Sequence, residues 1–262
     1  MAQHGQSILI ETNSYKLLSD VGEIEGAVLH NLKQIGISLE KIDDIVISHR
    51  HIDHIGALLP MLHQLKEQCL FLTPQLGETH IKNHPEKYRY LQPNPDGGYD
   101  LAISSDDAIK LNQYQSTEIV DENGFELYSN IFSTGCIGDW MMEQAIVIDQ
   151  KEAGITLIVG CSHPTVEAFI EKAMAVTGNR KLRGIIGGMH FTDYSQTEMK
   201  QHAQNIKEYN PSFVIPGHCT TVDGAHALQE VLGDDIVLIS KTHTFGTGNS
   251  ILLAEDLTKY LV

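Results

Sequence analysis

The sequence predicts an α/β fold, a four-layer αββα sandwich with two sheets face to face and helices outside. Strand-like runs joined by hairpin turns occur in both halves of the chain, and so do amphipathic helical segments. No linker or low-complexity stretch divides the 262 residues, which are long enough to bury one large core.

The elements follow in order. Ile8–Glu11 and Tyr15–Asp20 read as a hairpin turned at Thr12-Asn13-Ser14. Apolar residues at 24, 27, 28, 32 and 35 give a helix that stops at Gly36. Ile42–Ile47 is a strand, Ile55–Leu65 a helix, and Cys69–Leu72 a buried strand ended by Thr73-Pro74. From Glu78 to about Asp100 the pattern fails among Pro, Gly, His and Tyr, and a lid or substrate-facing loop is expected there. Strands are expected at Ser116–Val120, Phe125–Tyr128, Ile131–Ser133, Ala145–Ile148 and Ile155–Gly160. Asn123-Gly124 is a strong hairpin signal and Glu152-Ala153-Gly154 a weaker one. The second half then alternates. Its helices are expected over Pro164–Val176, with Ser162 near the cap, over Thr197–Tyr209 behind a Ser195-x-x-Glu198 capping box, and over Val222–Leu232. Its strands are Leu182–Ile186, Phe213–Ile215, Ile236–Ile239 and Ser250–Leu253.

Composition narrows the classes. The formal net charge of −16, with no Lys/Arg run, disfavours nucleic acid and anionic membrane surfaces as partners. Cys69, Cys136, Cys161 and Cys219 lie far apart without a Cys-x-x-Cys pair and read as reduced thiols. No secretory leader or membrane span is visible, so a cytoplasmic location is expected.

The chemistry concentrates in Ser48-His49-Arg50-His51-Ile52-Asp53-His54-Ile55-Gly56, directly after the apolar run Ile45-Val46-Ile47. If that run is a strand, His49 and His51 point the same way, while Asp53 and His54 aim at a second position where the chain turns into a helix. Imidazole and carboxylate are the nitrogen and oxygen ligands zinc takes. The plainer reading, a solvated loop with chance histidines, is weak for so dense a set behind a buried strand.

Three more histidines end apolar strands behind glycines: His163, His190 and His218. Loops at the carboxyl ends of strands in an open α/β layer gather at one edge, and at least two of these residues are expected to be ligands or catalytic. His4, His30, His63, His80, His84, His202, His226 and His243 lack that context and default to surface or lid. Asp20, ending a strand before Gly22, is expected to support a ligand histidine.

His49-x-His51-x-Asp53-His54 resembles the His-x-His-x-Asp-His signature of the metallo-β-lactamase superfamily, whose fold is the αββα sandwich. Ser19-Asp20-Val21-Gly22 and Pro216-Gly217-His218 are similar to further superfamily positions. More narrowly, four motifs resemble the dihydropterin ribofuranosylaminobenzene-phosphate synthase-like metallohydrolases. They are His4-Gly5-x-Ser7, Gly160-Cys161-Ser162-His163, Gly187-Gly188-x-His190 and Gly217-His218-Cys219-Thr220. The resemblance runs from His4 to about Leu253 and implies a single metallo-β-lactamase-like domain over 1–262. It implies two metals, the first on His49, His51 and His163, the second on Asp53, His54 and His218. The chain departs from the pattern twice. Gly160-Cys161-Ser162 stands where many members place a bridging Asp, and Gly135-Cys136-Ile137-Gly138-Asp139 where many carry another histidine. His163 is expected to replace the missing histidine, and whether Cys161 serves as a ligand stays open.

The leading expectation is therefore a hydrolase, or a closely related transferase, using two zinc ions, with iron or manganese as alternatives. It would act on a small anionic ester or phosphoester through a metal-bound hydroxide. Asp53 would orient the hydroxide, and His190 would protonate the leaving group or bind the substrate. A di-iron redox protein, a nucleic-acid processing enzyme and a ligand-binding protein with a residual metal site are the competing classes. His51, where di-iron relatives usually have Glu, favours zinc. The acidic charge disfavours nucleic acid. Arg50, Arg89, Arg183, Lys241 and His243 are the candidates to receive an anionic group.

Overall fold

The computed structural model describes residues 1–74, 105–139, 141–239, 250–251 and 253. Within them the chain forms two units. The expected lid at 78–100 and the candidates Arg89, Lys241 and His243 lie outside the described residues.

The first unit comprises Met1–Tyr128 and Ser133–Ala145. It carries a sheet in the order β1-β2-β3-β4-β5. β1 (Ile8–Glu11) and β2 (Lys16–Ser19) form the expected antiparallel hairpin, Ile8 opposite Ser19. The Thr12 hydroxyl closes its turn by donating to the Tyr15 carbonyl and accepting the Tyr15 N–H. β3 (Asp44–Val46), β4 (Cys69–Leu72) and β5 (Thr117–Ile119) add in parallel. α1 (Glu25–Gln34) buries Ala27, Val28 and Leu32, and Gly36 behind it adopts a left-handed φ of +76°. Its apolar face joins Ile45, Ile47, Leu58, Met61 and Leu70 in one buried cluster.

Three expectations need correction here. The helix expected over Ile55–Leu65 is broken into α2 (Ile52–Ile55), α3 (Leu58–Met61) and a 3-10 turn over Leu62–Gln64. The ladder breaks at Gly56–Ala57, where the Ala57 N–H donates to the Gly22 carbonyl instead. Gly56 passes so close that a Cβ there would lie 2.5 Å from the Ile52 carbonyl oxygen. A helix absent from the sequence reading, α4 (Ser105–Asn112), opens with Asp106 and Asp107 in its first turn, a charge pattern that marks helix starts. Asn123-Gly124 does not make a hairpin with β5, which takes its partner from β4. Instead Asn123 donates its backbone N–H to Asp121 Oδ1 at 2.7 Å, a local Asx-type turn.

β6 (Phe125–Tyr128) and β7 (Ile131–Ser133) lie where the chain passes into the second unit, which comprises Ser129–Phe132 and Ile146–Val262. There β8 (Ile146–Asp149) and β9 (Ile155–Val159) are antiparallel, as the turn at Glu152-Ala153-Gly154 predicts. β10 (Leu182–Gly187) pairs in parallel with β9 on one side and β11 (Phe213–Pro216) on the other. All residues of these three parallel strands are buried, as strands covered on both faces must be. The crossovers are α5 (Val166–Thr177) and α6 (Gln196–Glu208), and α7 (Thr221–Leu232) follows β11. α5 is capped by the Thr165 side chain rather than by Ser162, and ends at a left-handed Gly178. α6 has the expected Ser195/Glu198 capping box. Ile236–Ile239 contributes only a bridge, Val214 to Val237, in place of the expected strand. Ser250–Leu253 lies partly outside the described residues.

Candidate metal centre

In the first unit the loop after β3 brings the four motif residues together in the interior. His49 and His54 are fully buried, and His51 and Asp53 nearly so. His49 Nε2 lies 3.1 Å from His51 Nδ1. His54 Nε2 lies 3.6 Å from Asp53 Oδ2. The ring centroids of His49 and His54 are 4.1 Å apart. The His49/His51 pair thus sits on the loop after β3 and the Asp53/His54 pair on α2 behind it.

One carboxylate orients two of these rings. Asp20, buried and in a left-handed conformation (φ 58°), accepts the Ser48 N–H on Oδ1 at 2.7 Å. Its Oδ2 takes His54 Nδ1 at 2.8 Å and the Ser48 hydroxyl at 2.8 Å. Because Ser48 gives its one proton to Asp20, its oxygen accepts from His49 Nδ1, 2.9 Å away. Both imidazoles therefore carry their proton on Nδ1, and each Nε2 lone pair is turned toward the ligand positions. Asp20 contacts His54, a candidate ligand; the contact of Ser48 was not foreseen. Asp20→Asn keeps the size and tolerates the left-handed backbone, but its amide nitrogen cannot accept both donors on that side. Metal affinity is expected to fall about 10–100-fold with the fold retained. Competition against a chromophoric chelator measures it.

His4 is exposed, as its surface default expects, and its Nε2 lies 3.4 Å from Asp53 Oδ2. Gly5 (φ 107°) explains the approach: a Cβ there would sit 2.0 Å from the Asp53 carbonyl oxygen, which also accepts the Gln6 N–H at 3.1 Å. The signal was present in His4-Gly5-x-Ser7. Gly5→Ala should push this segment off the loop and cost about 1–3 kcal/mol of stability, the usual penalty for overpacking. Thermal unfolding of the variant reads it.

Arg50, a candidate anion receptor, is tied down on two of its nitrogens, while its Nη1 is buried without a hydrogen-bond partner. It is buried, and donates from Nε to the Thr73 carbonyl at 2.6 Å and from Nη2 to Asn112 Oδ1 at 3.1 Å. Burial pushes its guanidinium down to about 10. The Gln144 amide ties the ends of β3 and β4 by donating to the Ile47 and Phe71 carbonyls. Glu143, fully buried, places a carboxylate oxygen 3.9 Å from His49 Nδ1. Cys136 sits in the stretch lacking the family histidine and donates to the Val120 carbonyl.

In the second unit the three glycine-histidine segments emerge at the carboxyl ends of adjacent parallel strands β9, β10 and β11. Each carries a non-glycine residue in the left-handed region: Ser162 (φ 64°), His190 (φ 48°) and His218 (φ 49°). Such backbone persists where its surroundings over-determine it, and clusters at functional sites. Ser162 Oγ donates to the Gly188 carbonyl at 2.9 Å, and Thr220 Oγ1 accepts the Met189 N–H at 3.0 Å. The His163 and His190 rings are 4.5 Å apart. The segment after His190 forms a 3-10 turn over Phe191–Asp193 anchored by buried Phe191. Beneath that turn, Gly224 of α7 leaves the room that the Phe191 ring occupies.

The family model of the anti-Pycsar protein Apyc1 matches residues 2–75. The 7,8-dihydropterin-6-methyl-4-(beta-D-ribofuranosyl)-aminobenzene-5'-phosphate synthase of Methanocaldococcus jannaschii is 26% identical over 258 residues, covering 89% of this chain and 86% of that protein. Among solved structures, a metal-dependent hydrolase of the β-lactamase superfamily superposes with a TM-score of 0.65 at 21% identity, over 90% of this chain and 88% of that one. The metallo-β-lactamase fold protein YhfI from Bacillus subtilis gives a TM-score of 0.58 at 15% identity, over 94% of this chain and 90% of that one. The chain has the metallo-β-lactamase fold. The likeness read from the motifs, to the superfamily and to the synthase-like branch, is the one these relatives carry.

A metallo-β-lactamase fold raises the question of metal ions, and the donors of the first unit fit them. Two nitrogens held about 2.0–2.1 Å from one tetrahedral ion stand about 3.3 Å apart. His49 Nε2 and His51 Nδ1, at 3.1 Å, match that separation. His54 Nε2 and Asp53 Oδ2 offer a second nitrogen–oxygen pair. Among the described residues, no helix of this metallo-β-lactamase-fold chain is long and apolar enough to cross a membrane.

Proposed function

We propose that the chain is a metal-dependent hydrolase, or a closely related transferase, acting on a small anionic ester or phosphoester. The observation that carries this reading is the oriented donor set of the first unit, above all the 3.1 Å separation of His49 Nε2 and His51 Nδ1. His49, His51, Asp53 and His54 bind metal. The resemblance adds His163 to the first ligand set and His218 to the second, an assignment that rests on the motifs. Zinc suits the imidazole-rich set best. When bound, such ions polarise the substrate and lower the pKa of coordinated water toward neutrality. Asp20 and Ser48 hold the His54 and His49 rings in the tautomer that ligation needs. Asp53 is the carboxylate placed to orient the attacking group, and His190 gives a proton to the leaving group. The name of the M. jannaschii relative contains a ribofuranosyl 5'-phosphate, which supports an anionic, phosphate-bearing substrate here.

The test is an assay of the zinc-replete chain on phosphodiester, phosphomonoester and lactone substrates, with and without a chelator. Turnover of at least one class that disappears on chelation and returns with zinc is expected. Binding without turnover across all three classes contradicts the reading in favour of a ligand-binding protein.

A further inference from the structure

We propose that Cys161, His218 and Cys219 form a thiolate-bearing site for a soft divalent ion such as zinc. It takes His218, given to the second ion on the motifs alone, as a ligand of this ion instead, and shares no other residue with the nitrogen-and-oxygen donor set proposed above. The ligand atoms of the three residues all lie within 4.8 Å of one another. Ligand atoms around a single tetrahedral ion stand about 3.3–3.8 Å apart, so small side-chain rotations close the set.

The strand order alone does not bring the two thiols together. Cys161 follows β9 and Cys219 follows β11, with β10 between them. Strands two places apart are separated by roughly 9–10 Å. Gly188, just past β10, removes the obstacle. A Cβ at that position would lie 2.7 Å from Cys219 Sγ and 2.4 Å from the Gly160 carbonyl oxygen. The space left by the missing side chain is the space the Cys219 thiol occupies, and from there Sγ reaches the Cys161 carbonyl at 3.6 Å. The thiol also accepts the His190 backbone N–H at 3.3 Å, a contact that favours a thiolate once metal is bound.

His218 and Cys219 belong to a 3-10 turn over His218–Thr220. Two bonds brace it, from the Gly217 N–H to the Gly187 carbonyl (3.0 Å) and from Thr220 Oγ1 to the same oxygen (3.4 Å). The donors are thus carried on fixed backbone. No disulfide consumes either Cys161 or Cys219. Two thiolates and one imidazole make a soft set that prefers zinc, cobalt or cadmium to magnesium or manganese. Three protein ligands leave one position open, as in catalytic rather than closed structural sites.

Cobalt(II) titration of the chelator-stripped full chain tests the site. An intense near-ultraviolet sulfur-to-cobalt absorption is expected. Cys161→Ser and Cys219→Ser should each remove roughly half of it, one thiolate of two, while Cys69→Ser and Cys136→Ser leave it unchanged. Cobalt bound with visible d–d absorption but no sulfur band overturns this site and leaves the reading of the preceding section standing. A sulfur band that survives in the Cys161/Cys219 double serine variant overturns it equally. No cobalt bound at all overturns both. Should the serine variants fail to fold, alkylation of the unaltered protein decides: zinc should protect Cys161 and Cys219, and equal rates with and without zinc contradict the proposal.

Discussion

His51→Ala is expected to strip most of the first metal from the chain while leaving the fold in place. His51 is the residue before α2 and supplies no side-chain cap to it, so its removal takes away a donor rather than a structural support. Its Nδ1 is one half of the 3.1 Å pair with His49, and an ion held by the remaining imidazole loses the chelation that the tight spacing provides. Hydrolytic turnover should fall with the metal. Metal analysis of the purified variant beside its circular dichroism checks this, and full metal retention removes His51 from the ligand set.

His163→Ala and His190→Ala are expected to separate metal binding from turnover. His163→Ala should lower metal stoichiometry. His190→Ala should keep the metals yet slow turnover by about 10²–10⁴-fold, the usual size of a general acid–base contribution. The argument for His163 is its rigid setting, between Ser162, whose hydroxyl is tied to Gly188, and the Thr165-capped start of α5. The segment of His190 is pinned by Phe191 and by the bond from its own N–H to Cys219, so the proposed proton donor would be held in a fixed position. Its ring, 4.5 Å from that of His163, is close enough that the two variants must be compared under the same metal loading. Release of metal from His190→Ala but not from His163→Ala would mean that the two roles are exchanged.

Much of this was legible in the residue order because the deciding interactions are local. The Ser195/Glu198 capping box and the Gly178 and Gly36 helix ends each depend on a few neighbouring residues, and each formed as written. So did the hairpin at Thr12, and the candidate donors from His49 to His54 lie close together. What escaped the sequence depends on partners far along the chain. The apolar spacing of Ile55–Leu65 suited one helix, but the ladder breaks at Gly56–Ala57, where the Ala57 N–H donates to the Gly22 carbonyl instead. Asn123-Gly124 carried the right turn chemistry, but β5 found its partner in β4 and not across that turn. The contact of His4 with Asp53 was not legible because it depends on Gly5 fitting against a carbonyl 48 positions later. Ser48 was hidden for the same reason. The proton of Ser48 is committed by Asp20.

The central claim is that the His49–His54 loop is a metal centre, and metal content of the protein as purified tests it most directly. Elemental analysis of chain prepared without chelator should find about one to two zinc-like ions per chain, the count a dinuclear site allows. A folded, catalytically active chain carrying no stoichiometric metal would contradict the account.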